Sequence, residues 1–394
     1  MRLEQSWRAA LQDRLLPRQW EERECVCCAR IFYAKAIVNM TRTCGRGKCS
    51  QQQKDSFLNL PRKRIPLSIE SIGQIISSSL KEGGYIRNDS VSIARTYGNT
   101  DLIGAGVQIF EPVLFGRDLP CFEKKYVFQP VVRMQNVTTG GLVNGSSSAF
   151  VNVCTEQLGA TPVQHVEYVN TWLSVLSACG IHMNFVTLST RISSEDWGNG
   201  MFEQLELFFV YDGLELGDAS YAEIPTKNNG YVRVSDIGFG LERLVWAVNK
   251  TTAFFESLRP LVVGRMWGDV VHDTLRTAAL FTVCGVQSST ESPGSHLRRV
   301  CKILVENQVF FSEAESAIKW YIQFWKRFLP CSLVHESIVA IREELDRQYC
   351  GRISRLPSTS RPKPTETLEA YIKRLVYNQG VSVEDIHRAL ELHD

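Results

Sequence analysis

No stretch of the 394-residue sequence approaches the ~20 consecutive apolar residues that a membrane-spanning helix requires, so a membrane-embedded chain is not expected. The first twenty residues, MRLEQSWRAALQDRLLPRQW, lack the apolar core of a secretory leader and instead spread charges through an amphipathic helical pattern. Charge of one sign is not in excess either. With 44 Lys and Arg against 42 Asp and Glu the net charge is +2, so any basic surface for nucleic acid must be local. The sequence has no internal repeat, and its one biased tract is the Pro/Ser-rich stretch at 354–367, which reads as a linker.

What is present is a globular composition, 44% hydrophobic and 22% charged, on a chain long enough for two or three domains. Twelve cysteines without an export signal read as reduced thiols or metal ligands, which places the chain in the cytoplasm. Four of them are paired by spacing. Cys25 and Cys28 form a CxxC knuckle, and Cys44 and Cys49 flank a second, glycine-containing turn. Thiolates on two tight turns can make a tetrahedral Zn²⁺ site that holds a small segment together without much core. Scattered buried or redox thiols are the other reading. Cys27 falls outside the set.

The richest stretch is residues 231–249, YVRVSDIGFGLERLVWAVN. Alternating apolar positions, a break at Gly238-Phe239-Gly240, and apolar residues at helical spacing predict a strand, a tight glycine turn and a helix. That order puts Asp236 at the strand end and Arg243 in the first helical turn. An arginine fork binds phosphate oxygens in pairs, and two glycines let a ligand approach the backbone. A plain strand–turn–helix with a surface arginine would give the same pattern. The dinucleotide fingerprint is excluded, because Arg243 stands where its third glycine would be.

Elsewhere, periodicity predicts an amphipathic helix within residues 66–85 and a strand running into glycine-rich backbone across residues 94–112. It also predicts a strand over 126–134 carrying Arg133, a polar loop, and a returning strand over 149–154 carrying Phe150. A hairpin with a solvent-facing Arg and a core Phe is the bland reading of that pair. Thr161-Pro162 caps a helix that ends at Cys179-Gly180. Further helices are expected over 269–283, 313–328 and 333–349, with two short ones after the linker.

GFGLER after an Asp resembles motif 3 of class II aminoacyl-tRNA synthetases, in the form found in the alanyl-tRNA synthetase family. The four-cysteine element followed by Arg30-Ile31-Phe32-Tyr33, the block at 94–112, the Arg133–Phe150 hairpin, the stretch 195–224 and the block 272–299 are similar to that family in the same order. The resemblance implies an α+β fold: an antiparallel class II sheet flanked by helices, an N-terminal four-cysteine zinc element (1–55), a catalytic domain (56–255) and an all-helical tRNA-recognition domain (256–394). It implies ATP and Mg²⁺, with Arg133 on the α-phosphate, Phe150 on adenine, Arg243 on the γ-phosphate, Gly240 beside the nucleotide and Glu215 as an Mg²⁺ anchor. It carries Val107, Trp197, Asp218, Asp236 and Gly238 to the amino-acid pocket, and Thr290, Arg298, Arg299 and Lys302 to the tRNA acceptor stem.

The sequence also departs from the family pattern. The acid expected soon after Arg133 is replaced by Gln135 and Asn136, and the basic return of the loop by Gly145 and Ser146–Ser148. Asp218 stands where the family has Asn or Thr, although a surface-turn cap would also suit it. No HxxxH…CxxxH editing centre is present, and a monomer without a C-terminal oligomerisation domain is expected. Three functions stay open: an aminoacyl-tRNA ligase for a small amino acid, an adenylating enzyme loading a carrier or small molecule, and an inactive tRNA-binding relative.

Overall fold

A computed structural model describes residues 2–38, 41–49, 56–61, 65–94, 101–115, 118, 121–137, 145–196, 200–227, 230–260, 267–307, 309–330 and 338–353. The chain forms two compact units, Met1–Arg259 with Arg327–Leu333, and Pro260–Lys326 with Val334–Asp394.

In the first unit the elements run α1 (Arg2–Leu15), β1 (Trp20–Glu24), β2 (Ile31–Lys35), α2 (Ile69–Glu82), β3 (Ile86–Arg87), α3 (Glu111–Leu114), β4 (Lys125–Val132), β5 (Ala149–Leu158), α4 (Pro162–Cys179), β6 (Val186–Asp196), β7 (Met201–Tyr211), β8 (Leu214–Pro225), β9 (Tyr231–Gly240) and α5 (Leu241–Asn249). Among the described residues, nine strands make one sheet in the order β1-β2-β6-β7-β8-β9-β5-β4-β3. Every pairing is antiparallel except β3 with β4. This is the α+β class that the resemblance implies.

One face of the sheet is the core. Residues two apart on a strand share a face, so Val153 and Thr155 on β5 meet Phe239 and Ile237 on β9. Helix α4 covers them. Its Trp172 packs on Phe239 with ring centroids 4.5 Å apart and donates from Nε1 to Thr155 Oγ1 at 2.7 Å. The helix forms where the sequence places it, because Thr161 and Gln164 make a reciprocal capping box and Pro162 opens the first turn. Gly180, at φ 104°, closes it. Helix α2 buries the stripe Ile69, Ile72, Ile76 and Leu80, each side chain contributing about 2–3 kcal/mol.

Two expectations are corrected by the sheet. Gly238-Phe239-Gly240 is not a turn: β9 runs through it and passes directly into α5. Gly238 is paired on both sides, with Asp218 and with Cys154, and Gly240 pairs with Asn152. Asp236 is therefore mid-strand rather than at a strand end. The second correction concerns residues 101–112, which hold no strand. Gln108 Oε1 accepts from the Gly104 and Ala105 amides at 2.6 and 3.0 Å, tightening the chain into a 3₁₀ turn, Gly106–Phe110, that leads into α3.

Strands β1 and β2, from the N-terminal stretch that also carries the cysteines, join the sheet, since β2 pairs with β6. Thr190 and Thr187 on β6 donate to the carbonyls of Ile31 and Cys44 at 2.7 and 3.0 Å, fastening the cysteine segment there.

The second unit is helical: α6 (Asp269–Val283), α7 (Gly294–Glu306), α8 (Phe311–Lys326) and α9 (Val339–Ile353). Buried Arg276 lies between the Phe324 and Trp325 rings, 4.2 and 4.5 Å from their centroids, while Trp325 Nε1 donates to its carbonyl at 2.9 Å. The expected linker and the last two helices lie outside the described residues. Among the described residues no helix is long and apolar enough to cross a membrane.

Candidate functional site

The second face of the sheet carries polar side chains where the first carries the core. Along β5, Phe150, Asn152, Cys154 and Glu156 alternate with Val151, Val153 and Thr155. Their partners on β9 are Gly240, Gly238 and Asp236, and Asp218 and Ser220 follow on β8. A cleft opens over this surface. Arg133, Asn136, Phe150, Glu215, Asp218 and Arg243 all line it, with Gly238 and Gly240 in its floor.

Arg133 stands just past β4, where its Nε donates to Gly104 O at 2.9 Å and its guanidinium lies 5.2 Å from the Phe150 ring centre. Phe150 faces the cleft and not the core. Arg243 sits in the first turn of α5. Its Nη1 donates to Glu215 O at 2.8 Å and its Nε to Gly145 O at 3.4 Å, and burial pulls its guanidinium below the usual range. The adjacent Glu242 is buried and takes the Val151 amide on both carboxylate oxygens, at 3.1 and 3.0 Å, which locks the arginine-bearing helix to β5.

The floor is acidic. Burial, and then the neighbouring Glu215, push the Asp218 carboxyl up to about 6, against the opposing pull of Arg133. Its Oδ2 accepts from Ser220 Oγ at 3.1 Å. Burial and the facing Glu156 push Asp236 well above the carboxylate range. Glu156 itself is pushed up to about 8 by burial. Carboxyl groups so placed hold a cation or a proton, because an unmet buried charge is costly.

Not every residue assigned to the site lies there. Val107 does not line the cleft; it packs in an apolar cluster with Phe110, Leu114, Phe202 and Ile224. Trp197 is outside the described residues. In the helical unit, Thr290 and Arg298 line a second cleft with Ser288, Glu344 and Arg347. Arg299 is exposed, and exposed Lys302 reaches Glu306 at 3.8 Å.

The four cysteines meet as the spacing predicts: the Sγ atoms of Cys25, Cys28, Cys44 and Cys49 all lie within 4.8 Å of one another. Cys28 Sγ and Cys44 Sγ are 3.9 Å apart. Four thiolates at 2.3 Å from a tetrahedral Zn²⁺ would be about 3.8 Å apart, so the donor set fits that ion. Burial alone would raise the Cys25 thiol, but the amides of Cys44, Cys27 and Cys28 outweigh it and draw it down to about 6. Cys27 is exposed and outside the group.

Sequence reasoning missed Arg46. It lies between Cys44 and Cys49, reaches Glu215 Oε2 at 3.0 Å and sits 3.2 Å over the Phe208 ring. The cysteine turns thus deliver a cation to the carboxylate at the cleft edge. Nothing in the local sequence signals a contact across 169 positions. The Cys154–Glu156–Asp236 group was also missed, although the period-two placement of Asn152, Cys154 and Glu156 offered a signal.

No protein-family model matches the chain. The alanine–tRNA ligase of Methanobrevibacter smithii is 23% identical over 257 residues, covering 62% of this chain and 27% of that protein. The alanine–tRNA ligase of Halobacterium salinarum is 23% identical over 273 residues, covering 61% and 28%. The chain spans about a quarter of the length of these curated relatives. Among solved structures it is similar to a pyrrolysyl tRNA synthetase from Desulfitobacterium hafniense (TM-score 0.34, 15% identity, 50% of this chain and 72% of that one). A prolyl-tRNA synthetase from Cryptosporidium parvum also matches (TM-score 0.30, 12% identity, 87% and 80%). Over about three fifths of its length the chain is thus similar to alanine–tRNA ligases.

Proposed function

We propose that the chain is an ATP-dependent aminoacyl-tRNA ligase that activates a small amino acid, alanine or a close analogue, as its adenylate and transfers it to tRNA. The observation that carries this reading is the convergence of Arg133, Phe150 and Arg243 on one cleft whose floor is Gly238, Gly240 and Asp218. The substrate carboxylate attacks the α-phosphorus of ATP in line and pyrophosphate leaves. A tRNA terminal hydroxyl then takes the acyl group. Such chemistry depends on positioning and on cations that spread phosphoryl charge, rather than on acid–base groups.

In this reading Arg133 holds the α-phosphate, Phe150 stacks on the base and Arg243 takes the γ-phosphate. Mg²⁺ would supply further charge neutralisation, with Glu215 holding it. Asp236 receives the substrate's α-amino group in the space left by Gly238. Asp218, a carboxylate in place of a neutral residue, favours a substrate that offers a hydroxyl or amino donor. Arg299 and Lys302 contact the acceptor-stem backbone, which positions without reading sequence. Thr290 stands where the resemblance places a base-reading Asn and is too short to replace its bidentate amide, so the stem is read differently from the family pattern. ATP–pyrophosphate exchange against an amino-acid panel, followed by tRNA charging, tests the reading. No exchange with any amino acid would reject it.

A further inference from the structure

Beneath the cleft, Cys154, Glu156 and Asp236 bring one thiol and two carboxylates together, with all three ligand atoms within 4.8 Å of one another. Cys154 is fully buried and Glu156 is 1% exposed, while Asp236 is only partly buried and lies next to Gly238 in strand register with the cleft floor. Cys154 Sγ donates to Glu156 Oε1 at 3.3 Å. Yet Glu156 Oε2 and Asp236 Oδ1 are buried without a hydrogen-bond partner. Gly106 backbone packs against one side of the group, since a side chain there would begin 2.0 Å from the Cys154 sulfur and 2.8 Å from Glu156 Oε1. The charges acting on Asp236 are Glu156 and Asp218, with Arg133 alone opposing them.

Two adjoining carboxylates, one of them fully buried, with Arg133 as the cation opposing them, are unstable as they stand. A single shared proton would satisfy one orphaned oxygen. A substrate ammonium would satisfy the carboxylates and leave the thiol without a purpose. A borderline-soft ion satisfies all three, for sulfur and carboxylate oxygen are its ordinary ligands. In a tetrahedral site with Zn–S 2.3 Å and Zn–O about 2.0 Å, sulfur and oxygen stand about 3.5 Å apart, close to the 3.3 Å found here.

We propose that Cys154, Glu156 and Asp236 form a second metal site, for a zinc-type divalent ion, separate from the four-cysteine site. Three protein ligands leave a fourth position open, the pattern of a zinc that takes a substrate group. That position receives the α-amino group of the amino acid, so Asp236 holds it through the ion. This last step rests on the ligase reading; metal binding itself does not.

The test is zinc stoichiometry by elemental analysis of the full chain equilibrated with Zn²⁺, with cobalt substitution as a second readout. Two zinc ions per chain are expected in the wild type and one in Cys154→Ser and in Glu156→Gln. The cobalt protein should lose part of its thiolate-to-cobalt charge-transfer absorption in Cys154→Ser, and its d–d bands should move when the activated amino acid is added. One zinc in the wild type, unchanged in both variants, would overturn the proposal, and so would a cobalt spectrum indifferent to Cys154→Ser. If a variant fails to fold, the wild-type stoichiometry still decides. Amino-acid-dependent exchange with a single zinc would leave the ligase reading intact and remove the metal; two zinc ions without exchange would do the reverse.

Discussion

The two clefts hold similar residues and treat them in opposite ways. In the helical unit, buried Glu344 accepts from Ser288 at 2.5 Å, from Arg347 Nε at 2.9 Å and from Gln348 at 2.6 Å, with Arg298 Nε 3.9 Å away. Its charge is answered from within the fold. In the sheet unit, Asp218 has one hydroxyl donor, Asp236 and Glu156 each keep an unmet oxygen, and Arg133 spends its Nε on a backbone carbonyl. A closed network stabilises. An open one leaves its charges available to a ligand, and the difference separates charges answered within the fold from charges that are not.

The largest effect should come from breaking the open site. Arg133→Ala and Arg243→Ala should each lower ATP–pyrophosphate exchange by about 10²–10³, some 3–4 kcal/mol, as for other groups that meet charge developing in a transition state. Thermal melts of both variants should stay near wild type. Normal exchange in either would show that the cleft's cations do not face the reacting phosphates.

Removing the closed site should do the converse. Glu344→Ala leaves Arg347, Ser288 and Gln348 without their acceptor and should cost about 2–3 kcal/mol of stability, because the carboxylate is buried although Arg347 is half-exposed. Denaturant unfolding measures it, with exchange activity unchanged. A silent mutation would mean that the network contributes nothing.

A sharper comparison comes from Asp218, whose folded-state carboxyl is raised to about 6 from an unfolded value near 4. A raised pKa means that the folded state keeps its proton longer, so the contribution is full below pH 4 and is lost as pH climbs through 6. Asp218→Asn should therefore match wild type near pH 4 and exceed it above pH 6 by about 1–2 kcal/mol in urea titrations. The same variant should shift activation toward alanine. A constant offset at all pH values would place Asp218 outside the desolvated floor.

The smallest effect belongs to the exposed cations of the helical unit. Arg299→Ala and Lys302→Ala should each weaken acceptor-stem binding by about 0.5–1 kcal/mol and reduce its salt slope by about one, equally for stems of different sequence. Sequence-selective loss would make either residue a reader of bases.

Helix positions were legible because their signals are local. Thr161-Pro162 and Gly180 bound α4 as expected, and the apolar spacing of 269–283 matches α6. Gly238 and Gly240 misled for the converse reason: in the chain alone two glycines mean a turn, whereas here β5 pairs with both, and β8 also pairs with Gly238, holding them extended. The sequence by itself determined the four-cysteine pairing, the α4 and α6 boundaries, and the presence of Arg133 and Arg243, each written in neighbouring residues or in short spacing. Only the tertiary structure decided that Arg46 meets Glu215, that Val107 is core, and that Cys154 and Glu156 face Asp236. The last depends on strand register, which pairs residues some 80 positions apart, and the first two on where distant turns dock against the sheet; no local propensity encodes either.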